Sequence, residues 1–287
     1  MDIQENVSLK GKTTMRIGGT AKYYADLSAK EDVEAAIKFA KENSIPLIML
    51  GGGSNTIFAD GEINALVVRI AASEVSIDGS LVTVEAAKNL PMLINELAAD
   101  GFDLSPFTGI LGTVGGAVFG NAGQGPKGIW IDSFIESVEC FVDGSWKTME
   151  KQECAFEYRE SVFKKLNSPI IWSVNLTIPK KDPEEITAEI GRLLQQRLDT
   201  QPHVKTAGSC FKAVGDTPAW QLIDTAGLRE TKSNGVHISE KHANFLINDG
   251  DATFEDAVNV VKTIDEGISE GLEVEMRFVK EVGTLEF

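Results

Sequence analysis

Residues 46–60 read PLIMLGGGSNTIFAD, and the choice of fold turns on what the glycines do. PLIML is short and apolar, the pattern of a buried strand. Three glycines and a serine–asparagine pair then let the backbone turn its amide groups toward a phosphate. A dinucleotide-binding βαβ unit would continue into a helix with G-x-G-x-x-G spacing. Here NTIFAD does not read as a helix and that spacing is missing, as is a GxxxxGK[ST] loop anywhere in the chain. The run therefore excludes the two familiar nucleotide-loop geometries and leaves a tight loop or another kind of phosphate cradle.

Working outward, residues 28–46 predict a helix, with Ser28 and Glu31 as a capping box, Val33, Ala36, Ile37 and Ala40 as its apolar stripe, and Pro46 after its end. Strands are predicted at 65–70 and 81–86, and a capped helix over 89–101 with Leu93, Ile94 and Leu97 on one side. A second glycine-rich run, TGILGTVGGAVFGNAGQG, occupies residues 108–125. Both runs carry Asn and Ser or Thr donors, which favours the cradle over two unrelated loops. Strands near 137–142 and 170–176 and a helix near 184–198 complete a mixed α and β region.

The polar, proline-containing DTQPHVK, residues 199–205, marks a linker or change of layer. Beyond it a smaller α+β unit is predicted. Thr217 and Pro218 open a helix ending near Gly227, FLIN reads as a strand, and Thr253 with Asp256 caps a last helix whose Ala257, Val260, Val261 and Ile264 face inward. In the final GLEVEMRFV, strand alternation puts Glu273, Glu275 and Arg277 on one face.

Composition narrows the function classes. The chain has 287 residues, 43% hydrophobic and 24% charged, as an ordinary globular protein does. A formal charge of −16 argues against binding a nucleic-acid backbone, which needs a basic face. No apolar run is long enough for a membrane span, and the N-terminus lacks the basic-then-apolar pattern of a secretory signal. Three widely spaced cysteines, Cys140, Cys154 and Cys210, suit a reducing compartment better than a disulfide framework or a zinc site. The expectation is a cytoplasmic protein without a metal site.

Chemistry-bearing residues are few. Arg159 in FEYRES suits a carboxylate or a planar ring, but taken alone it reads first as a surface arginine packed on Phe156 and Tyr158. SEKHANF, residues 239–245, concentrates donors before FLIN, and its His242 reads as a hydrogen-bonded structural histidine. Ser209 in GSCFK has no histidine base in its own segment, so any chemical role must be other than that of a nucleophile. Glu273 and Glu275 form either a site or a solvated strand face.

The ordered series TTMRIGG, LGGGSN, GILGTVGGAVFGNAG, FEYRES, AGSCFK, LIDTAGL, SEKHANF and LEVEMRF, spanning residues 13–279, resembles the UDP-N-acetylenolpyruvoylglucosamine reductase family of flavoenzymes. The chain looks like the shorter branch, without the insertion that carries a substrate-clamping tyrosine. This resemblance implies an α+β protein with an FAD-binding fold of the vanillyl-alcohol-oxidase type. Two FAD subdomains, 1–69 and 70–198, would be joined by a substrate-binding domain, 199–267, with 268–287 returning to the second subdomain. It implies non-covalent FAD, NADPH as reductant, a UDP-sugar substrate, and a monomer or weak oligomer.

Site residues follow from the same resemblance. Gly51, Gly52, Gly53, Ser54 and Asn55, with Gly112, Thr113, Gly115, Gly116, Asn121 and Gly123, would hold the FAD. Ser209 matches the proton donor, a general acid needing no histidine. Arg159 and Glu275 match the groups that stabilise charge on the substrate carboxylate, Glu275 being chosen over Glu273 because it stands two residues before Arg277. Lys212, Lys241 and Arg277 would bind substrate. The chain departs from the family pattern at Ala213, where an asparagine is usual, at Leu111 in place of a proline, at the GlnGlyPro following NAG, and at Asn234-Gly235. The rival expectations are an FAD oxidase of the same fold and a non-catalytic flavin-binding paralogue.

Overall fold

A computed structural model describes residues 1–287. In chain order the first elements are β1 (Gln4–Ser8), β2 (Thr20–Leu27), α1 (Lys30–Glu42), β3 (Leu47–Met49), β4 (Thr56–Phe58) and β5 (Glu62–Ile70). Next come β6 (Val75–Asp78), β7 (Leu81–Glu85), α2 (Leu90–Ala99), α3 (Val114–Phe119), β8 (Ile135–Val142), β9 (Ser145–Glu150), β10 (Ile170–Thr177) and α4 (Pro183–Thr200). The remainder is α5 (Ala219–Thr225), β11 (Lys232–Ser233), β12 (Val236–Ile238), β13 (Leu246–Asn248), α6 (Phe254–Glu266) and β14 (Arg277–Val279). Helices and strands are interspersed, an α+β chain. They fall into two units: Met1 with Asp26–Ile37 and Val68–Arg197, and Asp2–Ala25 with Lys38–Val67 and Leu198–Phe287.

The first unit is built on an antiparallel sheet in the order β6-β7-β10-β8-β9. Val82 and Val84, Val138 and Cys140, and Val174 and Leu176 turn one face of its three central strands into a core shared with Leu93, Ile94 and Leu97 of α2. Each such fully buried aliphatic side chain contributes roughly 1.5–3 kcal/mol. Asn89 caps α2 by accepting the Met92 N–H at 3.0 Å, and Gly101 at φ +79° ends it. Polar side chains bridge the same three strands: Thr83 donates to Asn175 at 2.7 Å, and Asn175 to Ser137 at 2.9 Å.

In the second unit β1, β3 and most of β2 and β5 form the sheet β1-β2-β5-β3, while β11-β12-β13 form another. Helix α6 packs on β11 and β12 through Ala257, Val260, Val261 and Ile264, all buried. Its Thr253–Asp256 capping box is complete. Strand β4 follows the glycine run directly and pairs in parallel with β14, Thr56 opposite Arg277 and Phe58 opposite Val279.

Several expectations shift. Helix α1 begins at Lys30, which puts Ala29 before it, and the reciprocal Ser28–Glu31 box does not form. Asp32 accepts the Ser28 and Ala29 N–H groups at 2.9 and 3.1 Å and pairs with the Met1 amino group at 2.7 Å. Thr217 caps nothing, because a tight turn takes its backbone: Thr217 and Val214 exchange both N–H···O bonds at 3.0 Å, and Pro218 sits at the cap position. The C-terminal strand covers only Arg277–Val279. Before it, Glu275 and Met276 both direct their N–H groups to the Cys210 carbonyl, at 2.7 and 3.4 Å, and the chain bends there to change partners. That change carries the 268–287 segment to β4, in the unit that also holds Lys38–Val67, and not to the 70–198 region where it was expected.

Candidate active site

The first glycine run belongs to the second unit, and its shape is fixed from both sides. Gly53 has φ +67°, and a Cβ there would lie 2.1 Å from the Lys12 carbonyl oxygen. Its own carbonyl accepts the Thr14 N–H at 3.0 Å. On the other side Asn55 grips the C-terminal segment twice. Its backbone carbonyl accepts the Arg277 N–H at 3.0 Å, and its side-chain amide donates to the Glu275 carbonyl at 3.0 Å. TTMRIGG, GGGSN and LEVEMRF, separate in sequence, thus form one hydrogen-bonded assembly.

GSCFK joins it as an inner strand. Ser209 bridges Phe245, the Cys210 N–H bonds the Asn244 carbonyl at 2.8 Å, and on the opposite edge the Cys210 carbonyl receives Glu275 while the Glu273 carbonyl receives Lys212 at 2.9 Å. Cys210 and Glu275 are therefore neighbours across paired backbone, with Ser209 one position along; Ser209 and Glu275 are both half-buried. Cys210 is buried in the core. Burial first, and then the Glu275 charge, push its thiol far above the ordinary range, so it serves packing rather than redox chemistry.

Side chains on this strand separate by role. Lys212 is 8% exposed, with its Nζ 2.5 Å from Oε1 of the 69%-exposed Glu273. Glu273 is thus a salt-bridge partner, and the two glutamates expected to share a face differ in setting. Arg277 reaches back to donate to the Met49 carbonyl at 3.1 Å, and burial lowers its pKa. Lys241 donates to the Leu198 carbonyl at 3.0 Å, in the last turn of α4, where a cation complements the helix dipole. Arg277 is thereby anchored within the fold, whereas Lys241 is exposed.

Sequence reasoning missed Asn244. Its side chain accepts the Phe211 N–H at 2.9 Å and donates to the Phe211 carbonyl at 2.8 Å, fixing the strand that carries Ser209. The visible signal was the asparagine in the donor-rich SEKHANF. His242 in the same segment accepts the Asn244 N–H at 3.3 Å and stacks edge-on against Phe245 at 4.6 Å. Burial lowers its pKa, as for a neutral structural histidine.

The second glycine run and Arg159 lie in the first unit. Thr113 caps α3, accepting the Gly116 N–H at 3.3 Å. The Gly112 carbonyl accepts the Leu90 N–H at 3.0 Å, and the Gly115 N–H bonds Ala86 at 2.9 Å. A Cβ on Gly115 would sit 2.8 Å from that of Ala86, so this glycine lets α3 close onto the end of β7. Asn121 is fully buried; it donates to the Glu157 carbonyl at 2.8 Å and accepts the Asp132 N–H at 3.2 Å. Its amide thereby holds the FEYRES segment, where Arg159 adopts φ +57° and donates to the Gly123 carbonyl at 2.9 Å.

The residues present fit a flavin nucleotide. Gly53, Gly109 and Gly112 turn the two loops through positive φ, which glycine adopts without strain. Thr108, at the head of the second run, has a buried hydroxyl with no partner in the protein. Such a group calls for a ligand or water. Gly51, Gly52 and Ser54 complete the first loop between β3 and β4.

Residues 21–145 match the family described as FAD binding domain, and residues 200–282 match the UDP-N-acetylenolpyruvoylglucosamine reductase C-terminal domain. The chain is 35% identical to the UDP-N-acetylenolpyruvoylglucosamine reductase of Protochlamydia amoebophila, over 96% of its own length and 93% of the relative's. It is 34% identical to that of Streptococcus uberis, covering 99% and 96%. The crystal structure of the Thermus caldophilus reductase superposes with a TM-score of 0.85 at 31% identity, covering 97% of this chain and 99% of that one.

Proposed function

We propose, since this chain belongs to the UDP-N-acetylenolpyruvoylglucosamine reductase family, that it reduces the enolpyruvyl ether of UDP-N-acetylglucosamine to UDP-N-acetylmuramate for peptidoglycan synthesis. The glycine-rich loops at 51–55 and 112–123 would hold FAD, which when reduced by NADPH would supply a hydride for the methylene carbon of the enolpyruvyl group. Ser209 then gives its hydroxyl proton to the carbon bearing the ether oxygen, which completes a net addition of H⁻ and H⁺. As a general acid it needs only reach and orientation. Its backbone, bonded through Cys210 to Asn244 on one edge and to Glu275 on the other, supplies the orientation.

Arg159 and Glu275 act on the charge that develops on the substrate carboxylate, Arg159 as a fixed cation and Glu275 as a protonated donor or as the group that orients one. Lys212 serves the diphosphate, exchanging Glu273 for it. No helix is long and apolar enough to cross a membrane, and we place the reaction in the cytoplasm with its dissolved nucleotides.

The reading is supported by the 2.7 Å bond from the Glu275 N–H to the Cys210 carbonyl, which pairs the backbone of the segment carrying Glu275 with that of the segment carrying Ser209. The test separates the half-reactions anaerobically. Wild type should bleach with NADPH and recolour with the enolpyruvyl sugar nucleotide. Ser209→Ala should bleach at near-normal rate and recolour ~10²–10⁴-fold more slowly. Equal loss in both halves removes Ser209 from the chemistry, and rapid recolouring by oxygen alone marks an oxidase instead.

A further inference from the structure

The strand that carries Ser209 departs from regular pairing one residue after it. In a regular strand the N–H and C=O of one residue point to the same edge. Cys210 divides them: its N–H reaches the Asn244 backbone carbonyl at 2.8 Å, while its C=O takes the Glu275 and Met276 N–H groups at 2.7 and 3.4 Å on the other edge. The backbone is therefore rotated at Cys210.

The next residue, Phe211, turns both of its peptide groups to a side chain. Asn244 Oδ1 accepts the Phe211 N–H at 2.9 Å, and Asn244 Nδ2 donates to the Phe211 carbonyl at 2.8 Å. A primary amide here does what an opposing residue does in an antiparallel ladder. Phe211 is 2% exposed and Asn244 6%, so water is a poor substitute for the pair. Asn244 is itself placed by a tight turn, in which the Ser239 N–H bonds the Phe245 carbonyl at 2.8 Å and the Phe245 N–H the His242 carbonyl at 3.0 Å. The Ser209 hydroxyl makes no hydrogen bond within the protein, so the direction of this half-buried side chain follows the backbone that Asn244 holds.

We infer that the Asn244 side chain is a positioning residue for the proton donor: by taking both peptide groups of Phe211 it keeps the backbone rotated at Cys210 and so aims the Ser209 hydroxyl. Without the amide, two buried peptide groups lack partners, and the strand gains by rotating back toward regular pairing, which turns Ser209. The inference rests on the assignment of Ser209 as the acid given above.

The test uses the flavin-loaded protein in the two anaerobic half-reactions, with flavin bound per chain and a spectral titration of the oxidised protein with the enolpyruvyl sugar nucleotide. Asn244→Ala removes both bonds, and Asn244→Asp keeps an acceptor for the Phe211 N–H and loses the donor. The alanine variant should bleach with NADPH and bind the sugar nucleotide as wild type does, yet recolour ~10–100-fold more slowly, the effect of a misplaced reacting group, with the aspartate variant in between. In a Ser209→Ala background neither substitution should slow recolouring further, because the group they aim is gone. A merely structural asparagine would slow it by the same factor in both backgrounds. That additive loss, equal loss in both half-reactions, unchanged recolouring, or failure of both variants to fold with flavin each overturns the proposal. If Ser209→Ala recolours as fast as wild type, the acid assignment itself falls; if it is slow and the Asn244 variants are not, Asn244 alone does.

Discussion

The side-chain amide of Asn55 donates to the backbone carbonyl of Glu275 at 3.0 Å, across 220 residues of sequence. One asparagine thus ties a glycine-rich loop to the segment that carries the expected carboxylate-side group. Asn55→Ala removes the donor and leaves the Glu275 carbonyl without it. A loss of ~1–2 kcal/mol in denaturant unfolding is expected, with a fall in kcat exceeding any rise in KM, since Glu275 shifts while substrate cations stay.

Gly53→Ala and Gly79→Ala place the same methyl at similar backbone angles, φ +67° and +61°, in opposite surroundings. At 79 nothing lies within 4 Å of the new Cβ; at 53 it would meet the Lys12 carbonyl at 2.1 Å. Gly79→Ala should lose about 1 kcal/mol, the backbone term alone. Gly53→Ala should lose more than ~2 kcal/mol and yield protein with reduced flavin content by absorbance.

The Lys212–Glu273 pair joins a buried ammonium to an exposed carboxylate, and the two truncations should differ. Glu273→Ala strips a carboxylate from a desolvated cation and should destabilise by ~1–3 kcal/mol. Lys212→Met leaves Glu273 in water and should cost less stability, but it should raise KM for the sugar nucleotide. A double-mutant cycle in thermal unfolding reads the coupling.

Acid should reveal the buried carboxylates. Burial works to raise the pKa of Asp256, but hydrogen bonds from Thr253, Asn234 and Ser233 outweigh it and hold the group below its ordinary value. In the other unit Asp103 is likewise raised by burial and lowered further by Lys181 and Ser105. A depressed folded pKa gives stability that is present above the unfolded value of about 3.9 and is lost as pH falls below it. Asp256→Asn should be weaker than wild type by ~1–2 kcal/mol near neutrality, and the difference should close below about pH 4.

Thiol titration offers an independent reading of the cores. Burial raises Cys140 to about 11 and Cys154 to about 12, and Cys210 rises further for the same reason. At pH 8 the folded protein should show almost no reaction with a thiol reagent over minutes, and all three cysteines should react in denaturant. Fast labelling of Cys210 in folded protein would contradict its placement in the core.

Local chemistry was legible in the sequence wherever a few adjacent residues decide the outcome. Thr253 with Asp256, Asn89 before its apolar stripe, and the glycine run that refuses a helix all form what their neighbours dictate. The reading failed where distant groups decide. Strand β4 is a strand because residues 277–279 lie beside it, and the final strand is short because Cys210 diverts Glu275 and Met276. Ser28 lost the α1 cap to Ala29 because the helix starts one residue later. Arg197 sits on Gly109, 88 positions away by their numbers, and no spacing rule connects them.

The parallel pairing of β14 with β4 also constrains how the protein is made. Thr56–Phe58 leave the ribosome long before Arg277–Val279 and lack their partner until those residues arrive. The unit that contains both is assembled from three separate pieces, Asp2–Ala25, Lys38–Val67 and Leu198–Phe287, so its contacts join residues far apart and it should fold slowly. A truncation that removes only the last dozen residues would deprive the first glycine loop of its neighbour and leave a nascent edge open to aggregation.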